Sequence, residues 1–67
     1  MKTVFVLYPN NKIKKYLYSD FELFGDELEH KTDNIILNVV DPKRSFAYLT
    51  DFRGEISHLE PIKYRIV

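Results

Sequence analysis

Four residues between positions 12 and 18 combine positive charge with aromatic rings at a spacing of two. They are Lys12, Lys14, Tyr16 and Tyr18. Because strand side chains alternate between faces, an extended segment places all four on one face. The lysines would contact phosphates while the tyrosines stack on unpaired bases, at about 1–3 kcal/mol per base. This stripe predicts binding to single-stranded nucleic acid, although tyrosine and lysine are also ordinary residues of an exposed strand.

A second candidate site combines aromatic residues with acidic ones. Phe21, Phe24 and Leu28 lie within the acidic stretch 20–33 and share one face if that stretch is helical. Aromatic side chains are favoured at the centres of protein interfaces. The three residues therefore predict a docking surface for another protein. The alternative is that they cover one face of the sheet, as apolar stripes of this kind usually do.

Residues 19–31 carry signals for two different structures. Ser19 and Glu22 fit a capping box at a helix start. Gly25 costs a helix about 1 kcal/mol relative to alanine and suits a hairpin turn between Phe21–Phe24 and Glu27–Lys31. We favour a short helix here and keep the hairpin as the alternative.

No pattern typical of a catalytic or metal site is present. Gly25 and Gly54 are the only glycines, so the chain has no glycine-rich phosphate loop. Ser57 and His58 are neighbours and would point to opposite faces of a strand. Cysteine is absent, and so small a core leaves little room for a pocket of about 300 Å³. The sequence therefore predicts no enzyme activity, no cofactor and no metal.

Size and charge narrow the remaining functions. A chain of 67 residues predicts one domain, 1–67, with about 3–5 kcal/mol of net stability unless self-association adds to it. The net charge is zero, which disfavours binding of nucleic acid by bulk electrostatics. Charge is uneven along the chain: residues 1–19 hold four lysines and no acid, whereas residues 20–33 hold six acids and one lysine.

The first half of the predicted strand pattern is short and apolar. Five phenylalanines, five tyrosines and a single alanine favour strands over helices. Residues 2–8 predict a central strand, because Val4, Phe5, Val6 and Leu7 would be covered on both faces. Residues 9–11 predict a turn, and residues 13–18 an antiparallel strand.

The second half predicts a hairpin and a final edge strand. Residues 34–40 and 45–51 flank a type I turn at 41–44, with the pairs Val39–Phe46, Leu37–Tyr48 and Ile35–Thr50. Gly54 predicts a further turn, from which residues 55–59 return. Pro61 predicts the start of the last strand, in which Ile62, Tyr64 and Ile66 alternate with Lys63 and Arg65.

The expected fold is a β-rich small α+β domain. Its strands form an antiparallel meander of five to six short strands, as a small barrel or curled sheet, with one possible short helix at 19–31. The expected function is a non-catalytic interaction module that binds another protein, with a homodimer possible and nucleic acid as the second hypothesis. The chain is expected in the cytoplasm without membrane contact. Its composition suggests a phage or mobile-element protein that modulates a host protein.

Overall fold

The computed structural model describes the backbone of residues 1–50 and 56–67 and the side chains of residues 1–48 and 59–67. Eight strands lie in these ranges: β1 (Thr3–Leu7), β2 (Ile13–Leu17), β3 (Phe21–Phe24), β4 (Glu27–His30), β5 (Ile35–Asn38), β6 (Phe46–Thr50), β7 (Ile56–Pro61) and β8 (Lys63–Ile66). Two single-turn 3-10 helices, Tyr18–Asp20 and Pro42–Arg44, are the helical elements of the described chain. None of its helices is long and apolar enough to cross a membrane.

The strands form two antiparallel sheets. The smaller has the order β2-β1-β8, and the larger is a meander of the order β3-β4-β5-β6-β7. The predicted antiparallel, β-rich fold is confirmed, with more strands than expected. Within the described ranges the strands do not close into a barrel.

The core lies between the two sheets. Strand β1 contributes Val4 and Val6, which have no exposed surface. The larger sheet contributes Phe21, Leu28, Ile35, Leu37 and Ala47 to the same cluster. Burial of each large apolar side chain stabilises the fold by about 1.5–3 kcal/mol relative to leaving it exposed. The side of the small sheet that carries Val4 and Val6 therefore packs against the large sheet, and these apolar contacts join the two sheets.

The expected helix at 19–31 is wrong, because these residues form the hairpin β3–β4. Phe24 pairs with Glu27, and Gly25 in the turn has a φ of 58°. Glycine adopts this left-handed conformation without steric cost. The hairpin also lets Phe21 and Leu28 face the core while their backbones pair with neighbouring strands, so tertiary contacts override the local helix signals.

The expected register of the β5–β6 hairpin is also wrong. Ile35 pairs with Ala47 rather than Thr50, a shift of three residues. The connection is wider than a four-residue turn because Asn38 and Ser45 bond across it: the Asn38 N–H donates to Ser45 Oγ at 2.9 Å. An odd shift exchanges the two faces of a strand. Ala47 consequently enters the core.

The predictions for the β1–β2 hairpin and for the alternation in the last strand are confirmed. The turn at 9–11 is present, with Asn11 at a φ of 66°, and β1 and β2 pair as expected. The alternation in the last strand is confirmed, with Lys63 and Arg65 exposed. Pro61 ends β7 instead of starting that strand. The predicted turn at Gly54 lies outside the described residues.

Candidate functional site

The tyrosines of the predicted nucleic-acid stripe are engaged inside the molecule. The Tyr16 hydroxyl donates a hydrogen bond to Asp33 Oδ2 at 2.9 Å and lies 3.0 Å from the Tyr8 hydroxyl. Its ring meets Phe21 and His30 edge to face. Burial, together with these hydrogen bonds, raises the pKa of Tyr16 well above its usual range. Tyr16 would have to leave these contacts before it could stack on a base.

The other members of the stripe are arranged around the edge of the core. Lys14 lies with its amino group 5.6 Å from the centre of the Tyr8 ring, and Tyr18 receives Lys2 in the same way at 5.3 Å. Lys12 is exposed in the turn before β2. Of the four residues, only Lys14 and Tyr16 lie in β2, where they share the side of the strand that carries Val4 and Val6 on β1. Lys12 precedes the strand and Tyr18 lies in the 3-10 helix that follows it, so the predicted face of four residues does not form.

The structure separates the three residues of the predicted protein-docking surface. Phe21 and Leu28 are buried in the core, with 8% and 4% of their surfaces exposed. Phe24 is 54% exposed and lies on the opposite face of β3 from Phe21. Strand alternation is the reason, since Phe21 and Phe24 are three positions apart. Phe24 alone is placed to contact a partner.

The outer face of the small sheet carries an apolar surface ringed by positive charge, which we call the basic face. Its exposed apolar residues are Phe5, Leu7, Ile13, Leu17 and Val67, and its basic residues are Lys15, Lys63 and Arg65. No acidic residue occurs in the strands β2, β1 and β8 that form it. Monomeric soluble proteins usually avoid large exposed apolar surfaces, which mark interaction sites.

Strand register fixes the arrangement of the basic face. Phe5 lies between Lys15 on β2 and Arg65 on β8, and Leu7 lies between Ile13 and Lys63. Neighbouring strands are about 4.8 Å apart, so each cation stands beside an apolar neighbour. A hollow of about 470 Å³ is lined by residues of this face together with Tyr64. The basic face thus has an open, shallow depression at its centre.

Sequence reasoning missed the basic face for an identifiable reason. The apolar run of β1 predicts cover on both faces, yet Phe5 and Leu7 are 37% and 36% exposed. The sequence does show that Lys63 and Arg65 project from the same side of the last strand. It does not show that this strand pairs with β1, because the two lie at opposite ends of the chain.

A second group of exposed apolar side chains lies around the β3–β4 turn at one end of the large sheet, on both faces of β3, and we call it the acidic tip. It comprises the apolar residues Leu23, Phe24, Val39 and Val40 and the acidic residues Glu22, Asp26 and Glu27. The Val39 N–H donates to the carbonyl of Asp26 at 2.8 Å, which holds the segment after β5 beside the β3–β4 turn. Residues 21–30 contain no lysine or arginine.

Charge is segregated between the two sheets. The strands of the small sheet hold the basic residues Lys14, Lys15, Lys63 and Arg65 and no acidic residue. The strands of the large sheet hold the acidic residues Glu22, Glu27, Glu29 and Glu60 and no lysine or arginine. The molecule is neutral overall but has one basic and one acidic layer.

A cleft of about 650 Å³ opens where the β1–β2 turn approaches Pro42 and Pro61. It is an open surface cleft rather than a cavity within the core, so the expectation that the small core leaves little room for a pocket stays a prediction. Prolines, tyrosines and apolar side chains form most of its wall, and Lys43 and Lys63 supply its positive charge. Its described lining contains no aspartate, glutamate or histidine, so it presents no acid–base pair. Among the described residues, no three histidine or carboxylate side chains are grouped to hold a metal ion.

The chain matches no protein-family model, no curated protein sequence and no solved structure.

Proposed function

We propose that this chain is a non-catalytic protein-interaction module that binds an acidic, apolar surface of another protein through the basic face. The observation that carries the proposal is the exposed outer side of β1. A strand with this apolar run is typical of a position between two layers, and no second layer of the described residues covers Phe5 and Leu7, which are 37% and 36% exposed. A partner that covers them supplies it.

The charges of the basic face define the chemistry of that partner. Lys15 and Arg65 flank Phe5 and Lys63 flanks Leu7, with no acidic residue in the same strands. A partner with carboxylates around an apolar centre pairs with all three cations. Opposite charges also steer the two molecules together and so raise the association rate, an effect that salt weakens.

Nucleic acid is the less favoured ligand. Its proposed stacking residues Tyr16 and Tyr18 pack against the core, and the Tyr16 hydroxyl is bonded to Asp33. The cations of the basic face also attract phosphates, so the test must distinguish a protein partner from a nucleic acid. Binding of nucleic acid depends steeply on salt and is removed by nuclease.

The test is affinity capture of the tagged chain from lysate of its source cells, with and without nuclease. The triple variant Lys15→Glu, Lys63→Glu and Arg65→Glu reverses the basic face. A matched control, Lys12→Glu, Lys31→Glu and Arg44→Glu, makes the same charge change at exposed positions outside it. We expect the wild type and the control to capture the same protein after nuclease treatment, and the basic-face variant to capture at least tenfold less of it.

Two results would contradict the proposal. Equal capture by the basic-face variant and the wild type would show that the partner binds elsewhere. Loss of all captured material on nuclease treatment would favour nucleic acid instead. Circular dichroism and thermal unfolding of both variants establish that they are folded before capture is compared.

A further inference from the structure

The exposed apolar side chains of this molecule are concentrated in two places. Eleven large apolar residues of the described chain are exposed, and nine of them belong to the basic face or the acidic tip. The other two are Met1 and Leu59. Singly scattered apolar residues need no explanation, but clusters of this kind mark interaction surfaces.

The two surfaces are complementary in charge as well as in hydrophobicity. The basic face offers Lys63 and Arg65 in the lining of a hollow of about 470 Å³, and Lys15 lies beside Phe5 on the neighbouring strand. The acidic tip offers carboxylates around Phe24, which is 54% exposed. A phenylalanine ring is an apolar body of a size that such a hollow accommodates, and interface hot spots are typically aromatic residues seated in pockets.

We propose that the basic face is occupied by the acidic tip of a second copy of this chain, with Phe24 seated in the hollow. The inference rests on the proposed function and names the partner of the same site. Lys63 and Arg65 then lie close to Glu22, Asp26 and Glu27 of the second copy.

Charge also determines which contact between copies is favourable. Two basic faces placed against each other would bring six cations together, and two acidic tips would bring six carboxylates together. A tip in a hollow is the pairing that opposes unlike charges. It is a contact between different surfaces, so it forms a closed pair only if each copy inserts its tip into the other, and otherwise it continues along a chain of copies.

The contact is small, which sets the conditions under which it is measured. Three strands of about five residues span roughly 14 Å by 17 Å, below the usual size of a stable interface. We therefore expect weak association that responds strongly to salt. Sedimentation equilibrium from 10 µM to 1 mM protein is a suitable range, with the 8.0 kDa monomer as the reference mass.

The decisive experiment exchanges charge between the two surfaces. The basic-face variant Lys15→Glu, Lys63→Glu and Arg65→Glu has acidic groups at both surfaces. The tip variant Glu22→Lys, Asp26→Lys and Glu27→Lys has basic groups at both. We expect the wild type to associate in 20 mM salt and to dissociate at least tenfold more readily in 500 mM salt. Each variant alone stays monomeric, and an equimolar mixture of the two associates.

Phe24→Ala tests the apolar part of the contact. Phe24 is exposed at a hairpin end, so its removal leaves the core intact. We expect association to weaken about tenfold with little change in thermal stability, since burial of one aromatic ring contributes on this scale. Leu59→Ala is the matched control, because Leu59 is 53% exposed and belongs to neither surface.

The outcomes separate this inference from the proposed function. A wild type that stays monomeric at 1 mM in low salt overturns the second copy as partner, while loss of a captured protein by the basic-face variant leaves the proposed function standing. Association that persists in the basic-face variant overturns the docking of the acidic tip, and it also shows that the copies do not meet at the basic face. Restored association in the mixture supports the pairing of the basic face with the acidic tip. Neither variant associates alone, so association of the mixture requires one surface from each variant.

Discussion

The hydroxyl of Tyr16 connects three parts of the chain. It donates to Asp33 in the segment before β5 and is hydrogen-bonded to Tyr8 directly after β1. The Tyr16 ring belongs to the small sheet, and Asp33 leads into the large one. The hydroxyl therefore holds the two sheets together at one edge, which is a structural role for a residue that the sequence places in a binding stripe.

Tyr16→Phe removes this connection and keeps the ring. We expect the free energy of unfolding at pH 7 to fall by about 1 kcal/mol, the usual contribution of a hydrogen bond. The raised pKa predicts the pH dependence. Above pH of about 10 the unfolded chain loses the Tyr16 proton and the folded chain keeps it, so wild-type stability falls as pH rises. Urea unfolding from pH 7 to 11 should show the difference between wild type and variant shrinking.

Tyr18→Phe is the control for this prediction. Tyr18 is half-buried like Tyr16, but its hydroxyl makes no hydrogen bond among the described residues. Its replacement should leave the stability at pH 7 nearly unchanged. If Tyr18→Phe lowered the free energy of unfolding as much as Tyr16→Phe does, the loss in Tyr16→Phe could not be assigned to its hydrogen bonds.

The alternation of side chains along a strand predicts which residues share a face, but not which face is buried. The spacing of Lys14 and Tyr16 correctly predicts that they share a side of β2, since the side-chain period of a strand is two. It cannot predict which side meets the core, because that depends on where the large sheet lies. Ile62, Tyr64 and Ile66 are easier, since one side of β8 is apolar and the other basic.

At the scale of elements, the β3–β4 hairpin shows local signals overruled by packing. The stretch contains helix-capping residues and a helical apolar period, and both are real features of the sequence. A hairpin nevertheless buries Phe21 and Leu28 and satisfies backbone hydrogen bonds with β5. Such contacts join residues distant in sequence, so a local pattern does not contain them.

Substitution of Gly25 by alanine distinguishes a helix from a hairpin at residues 19–31, because the two structures predict changes of opposite sign in the free energy of unfolding. In a helix, Gly25→Ala would raise the free energy of unfolding by about 1 kcal/mol. In the hairpin it should lower it by about 1–2 kcal/mol, because alanine is strained at positive φ. A Cβ at this position meets nothing within 4 Å, so the cost is conformational alone. Gly25→Asn should cost less, since asparagine tolerates this conformation. Chemical denaturation of the three proteins measures all of these changes.

The β5–β6 connection shows a different limit of sequence reasoning. Both strands and their antiparallel pairing follow from the apolar runs on either side of residues 41–44. The register does not, because Asn38 Oδ1 accepts from the N–H groups of Val40 and Asp41 and so widens the connection. The resulting shift puts Phe46 and Tyr48 edge to face on the outside of the large sheet. The hydrogen bonds of Asn38, the last residue of β5, thus accompany a register that keeps Phe46 and Tyr48 out of the core.

At the scale of the molecule, the segregation of charge between sheets is only half visible in the sequence. Residues 1–19 are basic and residues 20–33 are acidic, and this difference in charge indicates a basic and an acidic layer. The basic face needs β8 as well, and β8 joins it through pairing with the other end of the chain. Segregation also concentrates like charges within each sheet. Glu22, for example, lies directly opposite Glu29 in the β3–β4 hairpin.

Glu22→Lys therefore should act on folding and association in opposite directions. Like charges directly opposite in an antiparallel pair destabilise it, and the variant replaces this repulsion with an attraction to Glu29. Unfolding at 5 µM protein, where the chain is monomeric, should show a gain of about 0.2–1 kcal/mol in low salt. That gain should shrink in 500 mM salt, because exposed charges are then screened. Sedimentation at 1 mM should show weaker association, since the acidic tip loses a carboxylate. A variant that is less stable and associates as the wild type does would contradict both parts of the argument, and Lys12→Glu, which reverses a charge remote from the hairpin, is the control.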